Sequence, residues 1–275
     1  MTKGNGAPPR CKRRGFRACI HYDVFFEVLA EDLAVMQEML CVILADPELT
    51  VISVTPQRDV ANLMGRAVRL DAWCHLGDGR ECDVEVQRAD DDHVRRVRYN
   101  ASGITWTKTN KGVNFEEIPD VCIVYISQFD FLGGGRTTYH VDKVIRETGV
   151  TVNDGLSEVY VNTKIDDGSD IANLMKCFLQ EQVNNPKFPK LSARINELKN
   201  TEKGVSAVCT VMEEYQKDAV NKAIKETWEK AAVVVADETN KSNLNTVTEN
   251  LRKRDPSLSV AEARKQAKAL LGLED

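Results

Sequence analysis

The sequence predicts an α/β protein in which helices flank a central mixed β-sheet. Three patterns lead to this prediction: an amphipathic helix comes first, short strands with one polar side follow, and an entirely apolar strand appears after a second helix. Such alternation is typical of a sheet covered by helices. The 275 residues are 42% hydrophobic and 29% charged, which suits a globular protein with a sizeable core.

The elements follow in a regular order. Apolar residues at spacings of three and four predict one helix over Asp23–Leu44, ended by Pro47. The later predicted elements are a strand at 51–54, a hairpin at 68–87, a helix at 92–110, a buried strand at 120–127, strands at 138–147 and 157–163 joined by a turn at 153–155, and helices at 170–183, 191–199, 203–241 and 260–271.

Residues 166–275 are therefore predicted to form a helical C-terminal region. Its long helix, 203–241, is charged on most faces and has a narrow apolar stripe. A stripe of this kind packs on the helix's own domain or on a partner chain. The second arrangement would make the protein a homodimer.

Bulk properties exclude several classes of protein. No apolar run approaches the roughly 18 to 20 residues that span a membrane, and the N-terminus lacks the apolar segment of a secretory signal. The eight cysteines include no C-x-x-C pair, so buried reduced thiols are a better interpretation than disulfides or a zinc site. We expect a cytoplasmic protein with no membrane partner.

Charge is distributed unevenly along the chain. The net charge is −5, but residues 1–20 carry six basic residues and no acid, which leaves −11 for the remainder. Residues 1–21 are therefore predicted to form a basic flexible tail. Such a tail either contacts phosphate backbones or is a solvated end, and the sequence leaves both interpretations open.

The stretch LDAWCHLGDGRECDVEVQ, which begins at residue 70, carries many carboxylates around a tight turn. Side chains alternate between the two faces of a strand. Asp71 and Trp73 therefore share the polar face of the first strand, and Asp83, Glu85 and Gln87 share that of the second.

Pairing of the two strands must bring their apolar faces together, because a slip of one residue exchanges the faces. The three-residue turn Gly77-Asp78-Gly79 meets this requirement and a two-residue turn does not; glycine also suits the left-handed third position of such a turn. The resulting register sets Trp73 opposite Asp83, and Asp71 opposite Glu85.

Asp71 and Glu85 should repel each other in this register, because like charges directly opposite are destabilising. A cation between them would remove the repulsion. Mg²⁺ is the natural candidate, because it binds one or two carboxylates and keeps several waters. Gln87, two residues along the same face, could orient one of those waters.

Two alternatives stay open. The hairpin can instead be solvated, with its acids neutralised by neighbouring arginines, which are Arg69, Arg80 and Arg88. The next helix begins with a further arginine cluster, formed by Arg95, Arg96 and Arg98. This cluster either contacts DNA phosphates or forms ion pairs with the acids at 90–92.

The hairpin resembles the PD-(D/E)XK nuclease superfamily, specifically its transposase-like branch, the recombination-promoting nucleases. The signature is an Asp at the start of one strand and Glu-x-Lys on the next; Asp71 and Glu85-Val-Gln87 match it, and glutamine is typical of the lysine position in this branch. Asp23-Val-Phe-Phe and Arg96-Val-Arg-Tyr99 extend the resemblance, which covers about residues 22–165. Leu70 stands where the superfamily has proline.

This resemblance implies a restriction-endonuclease-like core over residues 22–165 and Mg²⁺-dependent endonuclease activity on DNA, with Mn²⁺ as a substitute, in transposition or recombination. Asp71 and Glu85 would bind the metal, and Gln87 would take the catalytic position of the lysine. Glutamine lacks the charge that would stabilise developing negative charge. The second hypothesis is therefore a nuclease fold without catalysis that binds DNA or a protein partner.

Overall fold

The computed structural model describes residues 22–60, 67–87, 93–239 and 244–273. The predicted basic tail, 1–21, lies outside these ranges. The helices are α1 (Tyr22–Ala30), α2 (Leu33–Ile43), α3 (His93–Lys108), α4 (Asp170–Leu179), α5 (Pro189–Asn200), α6 (Glu202–Thr239), α7 (Leu244–Arg254) and α8 (Val260–Leu271). The strands are β1 (Val51–Val60), β2 (Val68–Leu76), β3 (Glu81–Gln87), β4 (Val121–Ser127), β5 (Thr138–Val141), β6 (Lys143–Val144), β7 (Thr151–Val152) and β8 (Leu156–Asn162).

Six strands form one mixed sheet in the order β1-β2-β3-β4-β8-β5. β1, β2 and β3 are antiparallel neighbours, β3, β4 and β8 run parallel, and β5 pairs antiparallel with β8. β4 is buried at every position, as the apolar run predicts for a strand covered on both faces. The predicted α/β class with a central mixed sheet is confirmed.

Helices lie on both faces of the sheet. On one face, Phe26 of α1 and Met175 of α4 border the same cleft as Val86 of β3. On the other face, Val97 of α3 belongs to the same buried cluster as Tyr125 of β4. Residues of β3 that alternate with Val86 therefore point toward α3.

The chain divides into two compact units, and the boundary between them along the chain follows Val211. The first unit contains the sheet, α1 to α5 and the start of α6. The second contains the rest of α6 together with α7 and α8, whose facing residues Val247, Leu251, Ala263 and Ala267 are buried together. The helical region predicted from residue 166 is thus divided between the two units.

The helix predicted over Asp23–Leu44 is wrong in one respect, because two helices occupy this range. The Asp32 carboxylate accepts the backbone N–H groups of Ala34 and Val35 and so begins α2 as its N-cap. The apolar spacing continues across the break, so periodicity alone does not reveal it.

The region between β4 and β8 also differs from the prediction. The chain reverses at 145–150, where Ile145 accepts the Gly149 N–H at 2.8 Å and Gly149 has φ +71°. The hairpin β6–β7 therefore precedes the predicted turn at 153–155, which is only a bend before β8. Helix α7 was not predicted at all.

Two bulk expectations can be compared with the structure. The six cysteines within the described ranges are free thiols, and Cys74, Cys82, Cys122 and Cys177 are buried, as predicted. None of the helices in the described ranges is long and apolar enough to cross a membrane. The homodimer and the cytoplasmic location stay predictions.

Candidate functional site

The turn between β2 and β3 has the predicted length. The Leu76 N–H donates to the Arg80 carbonyl at 2.9 Å and encloses three residues. The last of these, Gly79, has φ +92°, which glycine adopts without a steric penalty. The ladder pairs Trp73 with Asp83, so the predicted register is confirmed.

The two strands separate at Asp71, just beyond the last ladder pair, Ala72 with Val84. Side chains continue the pairing there in place of the backbone. The Asp71 N–H donates to Glu85 Oε1 at 3.2 Å, and the Val86 N–H donates to Asp71 Oδ2 at 3.0 Å. Each carboxylate is therefore fixed by the backbone of the opposite strand.

Strand β1 is irregular at the same level. Gln57 has φ +49°, which is rare for a residue other than glycine, and it falls opposite Asp71 between two regular ladder pairs. Its side-chain oxygen accepts a bond from Arg69 Nε. Irregularities of this kind redirect side chains in a sheet. Asp71 thus lies where the ladder is interrupted on both sides.

The polar side of β3 is buried. Asp83 and Glu85 are both 0% exposed, because α3 lies across them. Asn100 Nδ2 donates to Asp83 Oδ2 at 3.3 Å, and Arg96 Nη2 lies 2.9 Å from Glu85 Oε2. The alternative of a solvated hairpin is therefore wrong.

Arg96 supplies the positive charge that the opposed carboxylates require. Besides its ion pair with Glu85, it donates from Nη1 to Gln87 Oε1 at 3.1 Å. Burial lowers the pKa of Arg96, but the charges of Glu85 and Asp71 outweigh burial, so the pKa is raised. The guanidinium is therefore charged at any physiological pH.

Of the three arginines named for this role from the sequence, the two that the structure describes have other partners. Arg69 bonds to Gln57, Arg80 pairs with Asp78 at 2.7 Å, and Arg88 lies outside the described residues. In the cluster predicted to contact DNA, Arg95 and Arg98 are exposed, whereas the middle arginine is in the site. Sequence spacing showed the charges but not their partners.

Asp83 is a third carboxyl of the site, and it was not predicted as a functional residue. Its Oδ1 has no hydrogen-bond partner among the described residues. Burial, with the charges of Glu85 and Asp71, raises the pKa of Asp83 well above its usual value. Burial also raises the pKa of Glu85, against the opposing charge of Arg96. Among the carboxyls of the site, Asp83 is thus the one whose protonated form burial and the neighbouring charges favour most.

The donor atoms of the site suit a hard divalent cation. Within the described ranges, no group of three His, Cys, Asp or Glu side chains has the arrangement of a metal site. Asp71 and Glu85 nevertheless provide carboxylate oxygens on neighbouring strands, and carboxylate oxygens are the donors that Mg²⁺ takes. Arg96 competes for Glu85 Oε2, so a bound metal would have to share or displace this ion pair.

Gln87 also borders the apolar cleft between α1, α4 and the sheet. The cleft is lined by residues such as Phe26, Val86 and Met175. Val86 points away from Glu85 along the strand. The cleft therefore belongs to the opposite face of the sheet, and the carboxylates do not open into it.

Compared with models of protein families, with curated proteins and with solved structures, the chain gives no significant match. The interpretation of this site therefore depends on its residues and their geometry.

Proposed function

We propose that this protein is a metal-dependent DNA endonuclease with a restriction-endonuclease-like core, similar to the transposase-like branch of the PD-(D/E)XK superfamily. The observation that supports this function is the reciprocal bonding of Asp71 and Glu85. Each of these two carboxylates, on neighbouring strands, accepts a hydrogen bond from a backbone N–H group of the opposite strand. With Gln87 they have the order and strand positions of the superfamily signature, in a mixed sheet with helices on both faces.

In this proposal, Asp71 and Glu85 bind Mg²⁺ or Mn²⁺. The metal, when bound, would polarise the scissile phosphate and lower the pKa of an attacking water. The backbone bonds keep both carboxylates from turning away. Burial raises the pKa of Asp83, and a proton on this carboxyl would reduce the number of like charges next to the metal, where repulsion is strong in a low-dielectric interior.

Cleavage of supercoiled plasmid in Mg²⁺ or Mn²⁺ tests the proposal. Wild-type protein should nick or linearise the plasmid. Asp71→Ala and Glu85→Gln should each reduce the rate by more than the roughly 100-fold that loss of an outer-shell partner costs at metal sites. Asp78→Ala is the matched control, since it removes an acid of the same hairpin whose partner is Arg80. Cleavage that survives both site substitutions would overturn the assignment.

The second candidate function is a nuclease fold that binds DNA or a protein partner without cleaving. It is favoured by one observation, the ion pair of Arg96, which already neutralises Glu85 without a metal. Calorimetry with Mg²⁺ and Mn²⁺ separates the two functions. Intact binding of duplex DNA with no metal uptake would favour the non-catalytic protein, and uptake that Asp71→Ala abolishes would favour the enzyme.

A further inference from the structure

Gln87 has two chemically different ends, and only one of them can meet a phosphate. Its carbonyl oxygen accepts hydrogen bonds and its NH₂ group donates them. Phosphate oxygens only accept. A glutamine in the position of a lysine can therefore replace the lysine as a donor only if its NH₂ group faces the substrate.

Arg96 determines which end of Gln87 is free to do so. A guanidinium only donates hydrogen bonds, and its Nη1 lies 3.1 Å from Gln87 Oε1. The opposite orientation of the amide would place two donor groups against each other. Arg96 thus holds the carbonyl oxygen and directs Gln87 Nε2 away from itself.

The same guanidinium also forms an ion pair with Glu85, and this second contact fixes the orientation of Arg96. Nη2 lies 2.9 Å from Glu85 Oε2, and the Arg96 side chain is 34% exposed. The two nitrogens of one planar fork therefore bond to two residues of the same strand face. A lysine could not do this, because it is a point charge on a flexible stem.

We propose that Arg96 is a positioning residue that fixes Gln87 as the hydrogen-bond donor to a DNA phosphate. Its charge, one hydrogen bond behind that donor, supplies the positive field that a lysine would bring. This inference rests on the proposed nuclease function. It separates Arg96 from Arg95 and Arg98, which are exposed on the same helix.

A set of variants in the plasmid assay tests the positioning role. Arg96→Met keeps an apolar stem and removes both donors; we expect kcat to fall about 10- to 100-fold, the usual cost of an outer-shell partner. In Gln87→Lys the side chain can donate without being oriented by Arg96. Arg96→Met should therefore lower kcat much less in the Gln87→Lys background than in the wild type. Arg146→Met, at an exposed arginine outside the proposed site, is the matched control and should change kcat little. An equal loss in both backgrounds would overturn the proposal.

Gln87→Glu removes the remaining ambiguity, because glutamate strengthens the pairing with Arg96 but donates nothing. Cleavage should therefore fall at least as far as in Arg96→Met. Full activity of Gln87→Glu would mean that Arg96 needs only an acceptor there, which contradicts the inference. If Arg96→Met does not fold, Arg96→Lys takes its place in the test, because lysine keeps a positive charge beside Glu85. Arg96→Lys should also lose activity.

An NMR measurement decides the orientation independently of cleavage. The side-chain amide signal of Gln87 is identified by its loss in Gln87→Glu. Without metal, Arg96→Met should shift this signal and Arg98→Met should not. A short DNA duplex should perturb it in the wild type and much less in Arg96→Met. An unchanged signal in Arg96→Met overturns the positioning role. Failure of the proposed nuclease function is a separate result, which the plasmid assay shows as cleavage that does not depend on Asp71.

Discussion

Strand β3 carries buried carboxyl groups with opposite surroundings. At the start of the strand, Glu81 is 3% exposed and is approached by Trp73 Nε1 at 2.7 Å, His75 Nδ1 at 3.0 Å and Lys108 Nζ at 2.8 Å. Two residues further on, Asp83 is fully buried, and one of its oxygens finds no partner in the described part of the chain.

The difference separates a fully hydrogen-bonded carboxylate from the carboxyls of the proposed functional site. Buried polar groups in proteins are almost always hydrogen-bonded, and exceptions need an explanation. Glu81 has the donors that its burial requires. Further along the strand, Asp83 and Glu85 are both fully buried, and within the described residues Arg96 is paired with Glu85 alone of the two. Burial raises the pKa of both carboxyls, and strongly perturbed pKa values of this kind cluster at functional sites.

The largest effect on stability is expected at Glu81, whose hydrogen-bond partners are all in place. Glu81→Leu leaves the Trp73 N–H buried without an acceptor, which costs about 1–3 kcal/mol. Lys108 and His75 are 39% and 43% exposed, so both side chains can turn to water. Urea unfolding should show the loss in the free energy of unfolding. Glu81→Gln keeps an acceptor for Trp73 and should lose less; equal losses would assign the effect to charge.

Asp83→Asn should do the opposite and stabilise the protein. Below the unfolded pKa of about 3.9, the carboxyl is protonated in both states, and the amide is a close mimic of it. Burial raises the pKa of Asp83 in the folded state, so at higher pH the wild type must take up a proton in order to fold. The wild type therefore loses stability as the pH rises, and Asp83→Asn does not. We expect a gain of about 1 kcal/mol at pH 7.5, smaller at pH 4.5, from urea unfolding at both values. A gain in the free energy of unfolding that does not grow with pH would contradict a raised pKa of Asp83 in the folded state.

Lys108→Met should have the smallest effect. Lys108 Nζ lies 4.9 Å from the centre of the Trp73 ring and pairs with Glu81, but its exposure screens both interactions. A loss of about 0.5–1 kcal/mol is expected, and part of it should disappear in 1 M NaCl. Lys111→Met, at an exposed position after the same helix, is the control. Equal losses of stability in Lys108→Met and Lys111→Met would mean that Lys108 adds nothing specific, so that Trp73 and His75 are the important partners of Glu81.

The hairpin register could be predicted from the sequence because it depends on local properties. Alternation along β2 and β3 and the need for a left-handed glycine at Gly79 are visible within twenty residues. The pairing of Trp73 with Asp83 follows from them. The separation of the strands at Asp71 could not be predicted, because it involves Gln57 of a third strand.

Burial of the carboxylates could not be predicted for a similar reason. Asp83 and Glu85 are covered by Asn100 and Arg96, whose approach depends on how α3 packs on the sheet. Asp83 has one local signal, since it shares the polar face with Glu85 and lies opposite Trp73. The break at Asp32 was hidden because an apolar stripe can continue across two helices.

All members of the site lie between Asp71 and Asn100, on β2, β3 and α3. The chain entropy lost when a loop closes rises only with the logarithm of its length, so contacts within this span are inexpensive to form. Contacts of low sequence separation also favour rapid folding. The site can therefore assemble as one local unit before the chain beyond β4 has found its place in the sheet.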